Sequence, residues 1–146
     1  MSVTKSGDVW YGDGFDDLAD YIRDYGAGGY EVAIVKRSVC GQCAGTTFGV
    51  QVDETGDECA QRWCLTCDDI AFIGDSEEYW ETSETDDCAC PCGGEEFEAA
   101  VGFALRPDGE VRWLSIGLRC LKDGQLGVYA DWKIDYSPSR HLLDSA

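Results

Sequence analysis

Hydrophobic and polar residues first fall into a helical rhythm between Phe15 and Tyr25, where Phe15, Leu18, Ile22 and Tyr25 form one stripe. Asp16 and Asp17 stand in the first turn, where the helix dipole favours anions, and Gly26 is placed to end the helix. After a glycine-rich break at residues 27–29, the pattern from Tyr30 to Arg37 changes to a period of two and is rich in β-branched residues, which predicts a strand. Further strands are predicted over residues 47–52, 59–63, 70–73, 97–105, 111–119 and 127–134. The turn Arg106-Pro-Asp-Gly109 joins the two longest of these. From Gly74 to Asp87 acidic and hydroxyl residues replace the alternation, with Tyr79 and Trp80 embedded, so this stretch reads as a linker. The tail from Asp135, which contains Pro138, reads as irregular structure packing back on the body.

Two stretches of the chain are copies of one another. Cys43-Ala-Gly-Thr-Thr-Phe48 aligns with Cys92-Gly-Gly-Glu-Glu-Phe97, and Arg62-Trp63-Cys64-Leu65-Thr66-Cys67 followed by Ile70 aligns with Leu118-Arg119-Cys120-Leu121-Lys122-Asp123 followed by Leu126. Each copy runs knuckle, strand, turn, strand, knuckle. The first has cysteines at Cys40, Cys43, Cys64 and Cys67, a Cys-x2-Cys-x20-Cys-x2-Cys spacing. A Cys-x-x-Cys turn points two sulfurs at one ion while its amides stabilise the thiolates, and two such turns complete a tetrahedron. Over residues 39–73 this pattern resembles the zinc-ribbon and rubredoxin-like families of small β proteins. The resemblance implies structural Zn2+, with Fe as the alternative. The organisation from Asp75 onward is also similar to a type of bacterial protein, a resemblance that implies a fold and no task.

The second copy departs from the pattern, with Asp123 where a cysteine is expected and three upstream sulfurs, Cys88, Cys90 and Cys92, where two suffice. Either Asp123 completes a site with Cys90, Cys92 and Cys120, since zinc accepts carboxylate oxygen, or Cys88 takes the fourth place. A third option is that this half keeps the fold without the metal. Cys59 lies outside both patterns and reads as a small packed hydrophobe.

Nine cysteines clustered as Cys-x-x-Cys and Cys-x-Cys argue against a disulfide framework. With no secretory apolar run near Met1, they point to a reducing cytoplasm and to metal. No apolar run approaches the ~20 residues that span a bilayer. The formal net charge is −18, from 29 acidic against 11 basic side chains, and thiolate-held metal deepens it. Such a chain lacks the basic footprint that gives phosphate affinity its main term, which speaks against nucleic acid and for a basic protein partner. Asp exceeds Glu and Arg exceeds Lys, so a GC-rich genome or salt-adapted host is the competing reading of the acidity.

The sequence gives little support for catalysis, with a redox role of the Cys-x-x-Cys groups as the enzyme-class rival. His141 is the one histidine and lies in the tail, all-thiolate sites are closed, and neither a phosphate loop nor a dinucleotide fingerprint is present. Two acidic aromatic segments are candidate partner-binding surfaces: Asp75, Glu77, Glu78, Tyr79 and Trp80, and Asp131, Trp132, Asp135 and Tyr136. The competing assignment packs Trp132, Ile134 and Tyr136 on one face of a strand. The expected fold is mainly β, with two tandem zinc-ribbon-like antiparallel β units and a short N-terminal α-helix. Its expected segments are an N-terminal helix and strand (1–38), a first unit (39–74), an acidic linker (75–87), a second unit (88–134) and a tail (135–146). The expected function is a non-enzymatic zinc-binding protein-interaction module, such as an acidic inhibitor or immunity-type protein that binds a basic partner. The alternatives are rubredoxin-like iron electron transfer and a transcription-associated zinc ribbon, the latter resting on Arg112, Arg119, Lys122 and Lys133.

Overall fold

In the computed structural model, the described residues are 4–6, 9–25, 30–53, 59–74, 76, 85–134, 139–144 and 146. They form an antiparallel sheet, β1 (Thr4–Ser6), β2 (Val9–Tyr11), β3 (Ile34–Arg37), β4 (Thr47–Asp53), β5 (Ala60–Cys64), β6 (Ile70–Phe72), β7 (Thr85–Asp87), β8 (Phe97–Leu105), β9 (Val111–Cys120) and β10 (Gln125–Lys133). The helix α1 (Phe15–Tyr25) and a closing 3-10 turn at Arg140–Asp144 complete the set. The protein is mainly β with one α-helix among the described residues. The hairpin of β1 and β2 was not anticipated, because a three-residue apolar run between glycines carries too little periodicity to register.

The sheet order β1-β2-β10-β9-β8-β4-β5-β6 is that of two meanders joined back to back. At the join β4 and β8 pair over two residues, with Phe48 opposite Phe97. These are the same position in the two copies, so a pseudo-twofold axis passes between them. The registers obey it: Phe48 faces Cys64 as Phe97 faces Cys120, and Trp63 faces Ile70 as Arg119 faces Leu126.

The symmetry extends one strand further upstream, where the copies exchange strands. β3 enters the first knuckle but pairs with β8 of the second meander, from Ile34 opposite Phe103 to Arg37 opposite Ala100. β7 enters the second knuckle but pairs with β4 of the first, from Gln51 opposite Asp87 to Asp53 opposite Thr85. The equivalent amides Ser38 and Cys88 then donate to the equivalent carbonyls of Ala99 and Val50, at 2.9 and 2.8 Å. The segment expected as a linker thus ends in a strand, formed by polar residues whose backbone meets an edge that the sequence pattern does not reveal.

β8 is buried on both faces, which explains its unbroken apolar run. Phe97, Ala99, Val101 and Phe103 enter the main core with Phe48, Val50, Ala60, Leu114, Ile116, Leu118 and Trp132. The other face is lined by small residues, and α1 lies across it: a Cβ at Gly102 would press on Ile22, and one at Gly117 on Ile22 and Leu18. Leu18 and Ile22 form the second cluster there with Val32, Ala100, Ala104 and Leu126. The sheet curls around the main core, since Gly74, just past β6, lies against Leu114 of β9. The tail packs back, with Leu142 buried in the main core. Glu110 anchors that tail by accepting from the amides of Ser139 and Arg140 at 2.7 and 2.6 Å.

Candidate metal centres

Each meander ends in a pair of knuckles whose donor atoms converge. At the first centre one donor atom from each of Cys40, Cys43, Cys64 and Cys67 lies within 4.8 Å of all the others. Cys40 Sγ is 3.5 Å from Cys67 Sγ, and Cys43 Sγ is 3.5 Å from Cys64 Sγ. A disulfide needs about 2.05 Å, whereas four sulfurs at about 2.3 Å from a zinc ion stand about 3.8 Å apart. The observed spacing is therefore that of a coordination shell rather than of bridges.

The backbone makes this possible. The amide of Cys40 donates to the Gly45 carbonyl and that of Ala44 to the Cys40 carbonyl, closing the upstream knuckle. Gln42 N and Thr66 N then point at Cys40 Sγ and Cys64 Sγ, each at 3.4 Å. The amides of Cys67 and Thr66 bring the Cys64 thiol down to about 6 against the opposing effect of burial. Cys40 is lowered by the amides of Cys43 and Gln42. Cys67 moves the other way. The Asp69 amide favours its thiolate, but the proton it shares with Cys40, burial and the neighbouring sulfurs outweigh that and hold it up at about 12. Cys43 is likewise raised: the Gly45 amide favours its thiolate, but the Cys64 sulfur and burial prevail. Four adjacent sulfurs without a cation cannot all ionise, so they share protons that a divalent ion displaces.

The second centre repeats this geometry with one substitution. Cys90, Cys92, Cys120 and Asp123 bring one donor atom each within 4.8 Å of the others. Cys92 Sγ and Cys120 Sγ are 3.6 Å apart, and Cys90 Sγ is 3.5 Å from Asp123 Oδ1. A tetrahedral zinc with one carboxylate oxygen has a sulfur–oxygen edge of about 3.6 Å. Asp123 is held in place by its own turn, with Oδ1 accepting from Gln125 N at 2.9 Å. Burial opposes ionisation of Asp123, but the Gln125 amide and the three thiols hold its carboxyl below the usual range. Cys90 is raised to about 12, first by burial and then by the adjacent sulfurs. Cys88 stands outside this group, buried in the main core, where desolvation and then Asp87 push its thiol up to about 12. Cys59 is fully buried too, its amide donating to Asp53 Oδ1 at 3.2 Å.

Local details recur at the two centres. Ala44 and Gly93 occupy the same knuckle position with φ of 61° and 94°, and Asp68 and Gly124 another with 65° and 80°. Gly45 and Gly94 pass beneath the sulfurs: a Cβ at Gly45 would stand 3.0 Å from Cys64 Sγ, and one at Gly94 2.9 Å from Cys120 Sγ. That near contact is the signal by which both glycines were findable, since Cys-x-Gly stands at the same place in each copy.

The remaining candidates fall differently. Trp132 is 5% exposed and packs in the main core, because strand alternation turns it to the face of Leu114 and Ile134; it is not a surface anchor. Asp131 is half-buried and accepts from Trp113 Nε1 at 3.1 Å. Asp75, Glu77, Glu78, Tyr79, Trp80, Asp135 and Tyr136 lie outside the described residues. Two of the four basic residues, Arg112 and Lys133, line one cleft together with Arg106 and Tyr30. Arg119 pairs with Glu98 at 3.2 Å, while Arg112 stacks on Tyr30. His141 is exposed on the closing turn.

The chain is thus a β protein with two four-donor groups able to hold a metal ion, cysteine-rich in one case and cysteine-carboxylate in the other. No family model, curated protein or solved structure matches it. Among the described residues no helix is long and apolar enough to cross a membrane.

Proposed function

We propose that the protein is a non-enzymatic, metal-stapled interaction module: two tandem zinc-ribbon-like units hold Zn2+, and the acidic surface meets a basic protein partner. The observation that carries the metal half is the convergence of four donors at two symmetry-equivalent places. In a structural site all four positions belong to the protein, whereas a catalytic zinc keeps one open for water or substrate. The partner half rests on the charge of −18, which steers cationic surfaces and repels phosphate. An inhibitor or immunity-type protein that occludes a basic partner is the most concrete form of this reading.

Iron-based electron transfer is the second reading, favoured by the all-thiolate set Cys40, Cys43, Cys64 and Cys67. Elemental analysis of the purified protein separates the two. Two zinc ions per colourless chain, with loss of the folded spectrum on chelation, are the expected result. A red protein containing iron sinks the zinc assignment. For the partner, tight binding to basic proteins that weakens steeply with salt is expected. Binding to duplex DNA at physiological salt is the result that overturns it.

A further inference from the structure

A cleft of about 240 Å³ opens between β2 and α1, lined among the described residues by Trp10, Tyr21, Tyr25 and Asp24. It lies on the helix side of the sheet and uses none of the metal donors. Tyr21 and Tyr25 are one helical turn apart and so share a face of α1. Trp10 stands across from them on β2, its ring centroid 6.5 Å from that of Tyr21 with the planes inclined by 57°. Three aromatic rings on two rigid elements therefore surround one space. Solvent reaches two of them, Trp10 being 36% and Tyr25 46% exposed.

We propose that this cleft binds the methylated ammonium head of a small quaternary ammonium solute of the choline type. Rings set around a space attract a weakly hydrated cation through their negative π faces. The polar groups point to the same sign of charge. Asp24 supplies a carboxylate at the wall, and the Tyr25 hydroxyl donates to Asp131 Oδ2 at 3.4 Å, which orients that ring and enriches its π face. An anion would meet both carboxylates and a chain of net charge −18. A primary ammonium needs several acceptors to replace its water, whereas a trimethylammonium head needs apolar contact and a negative field, and the cleft offers both. Its volume lies below the roughly 300–1,000 Å³ of sites for drug-sized ligands, which suits a small head group.

The test is a titration of the metal-loaded full-length protein followed by amide and indole NMR shifts. The probes are choline, tetramethylammonium, the uncharged choline isostere 3,3-dimethylbutan-1-ol, and a trimethyl-lysine peptide. Shifts should concentrate at the Trp10 indole and residues 21–25, with choline binding about 2- to 30-fold more tightly than the isostere, the range set by cation–π attraction. Trp10→Ala and Tyr25→Ala should abolish binding, and Asp24→Asn should weaken it while leaving metal content and the circular dichroism spectrum unchanged. Asp24 is exposed, so that variant keeps the test valid should Trp10→Ala fail to fold. Equal affinity for the isostere, no shift at the cleft, or undiminished binding in Asp24→Asn and Tyr25→Ala would overturn the proposal. A trimethyl-lysine peptide binding tenfold more tightly than choline would also overturn it, by moving the occupant from a small solute to a modified protein.

Discussion

Removing the Asp123 carboxylate should loosen one metal and leave the other untouched. Structural zinc in small peptides is held with an apparent free energy of about 10–16 kcal/mol at neutral pH. Shared among four donors, that is about 2.5–4 kcal/mol each, or roughly a 10²- to 10³-fold loss of affinity for Asp123→Ala. Asp123 also accepts the Gln125 amide at 2.9 Å, so part of any loss could come from the turn. Asp123→Asn separates the two, because the amide oxygen keeps the turn and loses the charge; a ligand role predicts that most of the loss persists in Asn. Asp123→Cys should restore a fourth thiolate and tighten retention beyond the native chain. The assay is competition of the two-zinc protein with a chromophoric chelator, which resolves a weak and a tight ion. Both centres should release metal as pH falls, since thiols at each, Cys43 and Cys67 at the first and Cys90 and Cys120 at the second, hold their protons more tightly than a free thiol and so compete with the ion. Cobalt substitution adds a count of sulfurs through its thiolate charge-transfer band. Cys88→Ala serves as the contrast, because Cys88 lies outside the donor group. An Asp123→Ala protein with unchanged metal affinity, or a Cys88→Ala protein that loses an ion, would refute the assignment.

The exchange of β3 and β7 predicts that fragments 1–74 and 75–146 do not fold alone with zinc, since each lacks a strand lying in the other, yet reconstitute when mixed. A dispersed NMR spectrum from either fragment by itself would count against it. Phe97→Ala empties a fully buried position on the pseudo-axis, where the ring packs edge-on against Tyr129 at 5.6 Å, and should destabilise the metal-loaded protein by about 3–5 kcal/mol in denaturant unfolding. Glu110 has its pKa lowered first by the Ser139 amide and then by that of Arg140, so its anchoring is complete above its unperturbed value of 4.5 and is lost as pH falls through the lower folded value. Hydrogen exchange at residues 140–144 should therefore accelerate in acid, and Glu110→Ala should show the same acceleration at neutral pH; protection unchanged in that variant would contradict the anchor.

The helix and the knuckles were legible because each depends on neighbours in sequence. Phe15, Leu18 and Ile22 announce α1 by spacing alone, and Cys40, Cys43, Cys64 and Cys67 announce a four-sulfur group by theirs. What the chain hides is everything fixed by contact between the copies. Thr85, Asp86 and Asp87 carry no strand signal, and become β7 because Gln51, Val52 and Asp53 present a backbone edge that must be paired. Choosing between Cys88 and Asp123 was a question of the same kind. Once β7 lies along β4, the Cys88 amide is committed to the Val50 carbonyl at 2.8 Å and its side chain to the core, so Asp123 is the group left beside the other three donors. The equivalent residue in the first copy is Ser38, whose amide makes the same bond to Ala99. Cys88 is thus the counterpart of a buried serine and stands outside the four-donor group. The two stretches align one residue beyond β3 and β7, where a change in knuckle length from Cys-x-x-Cys to Cys-x-Cys hides the match between Ser38 and Cys88 in the sequence.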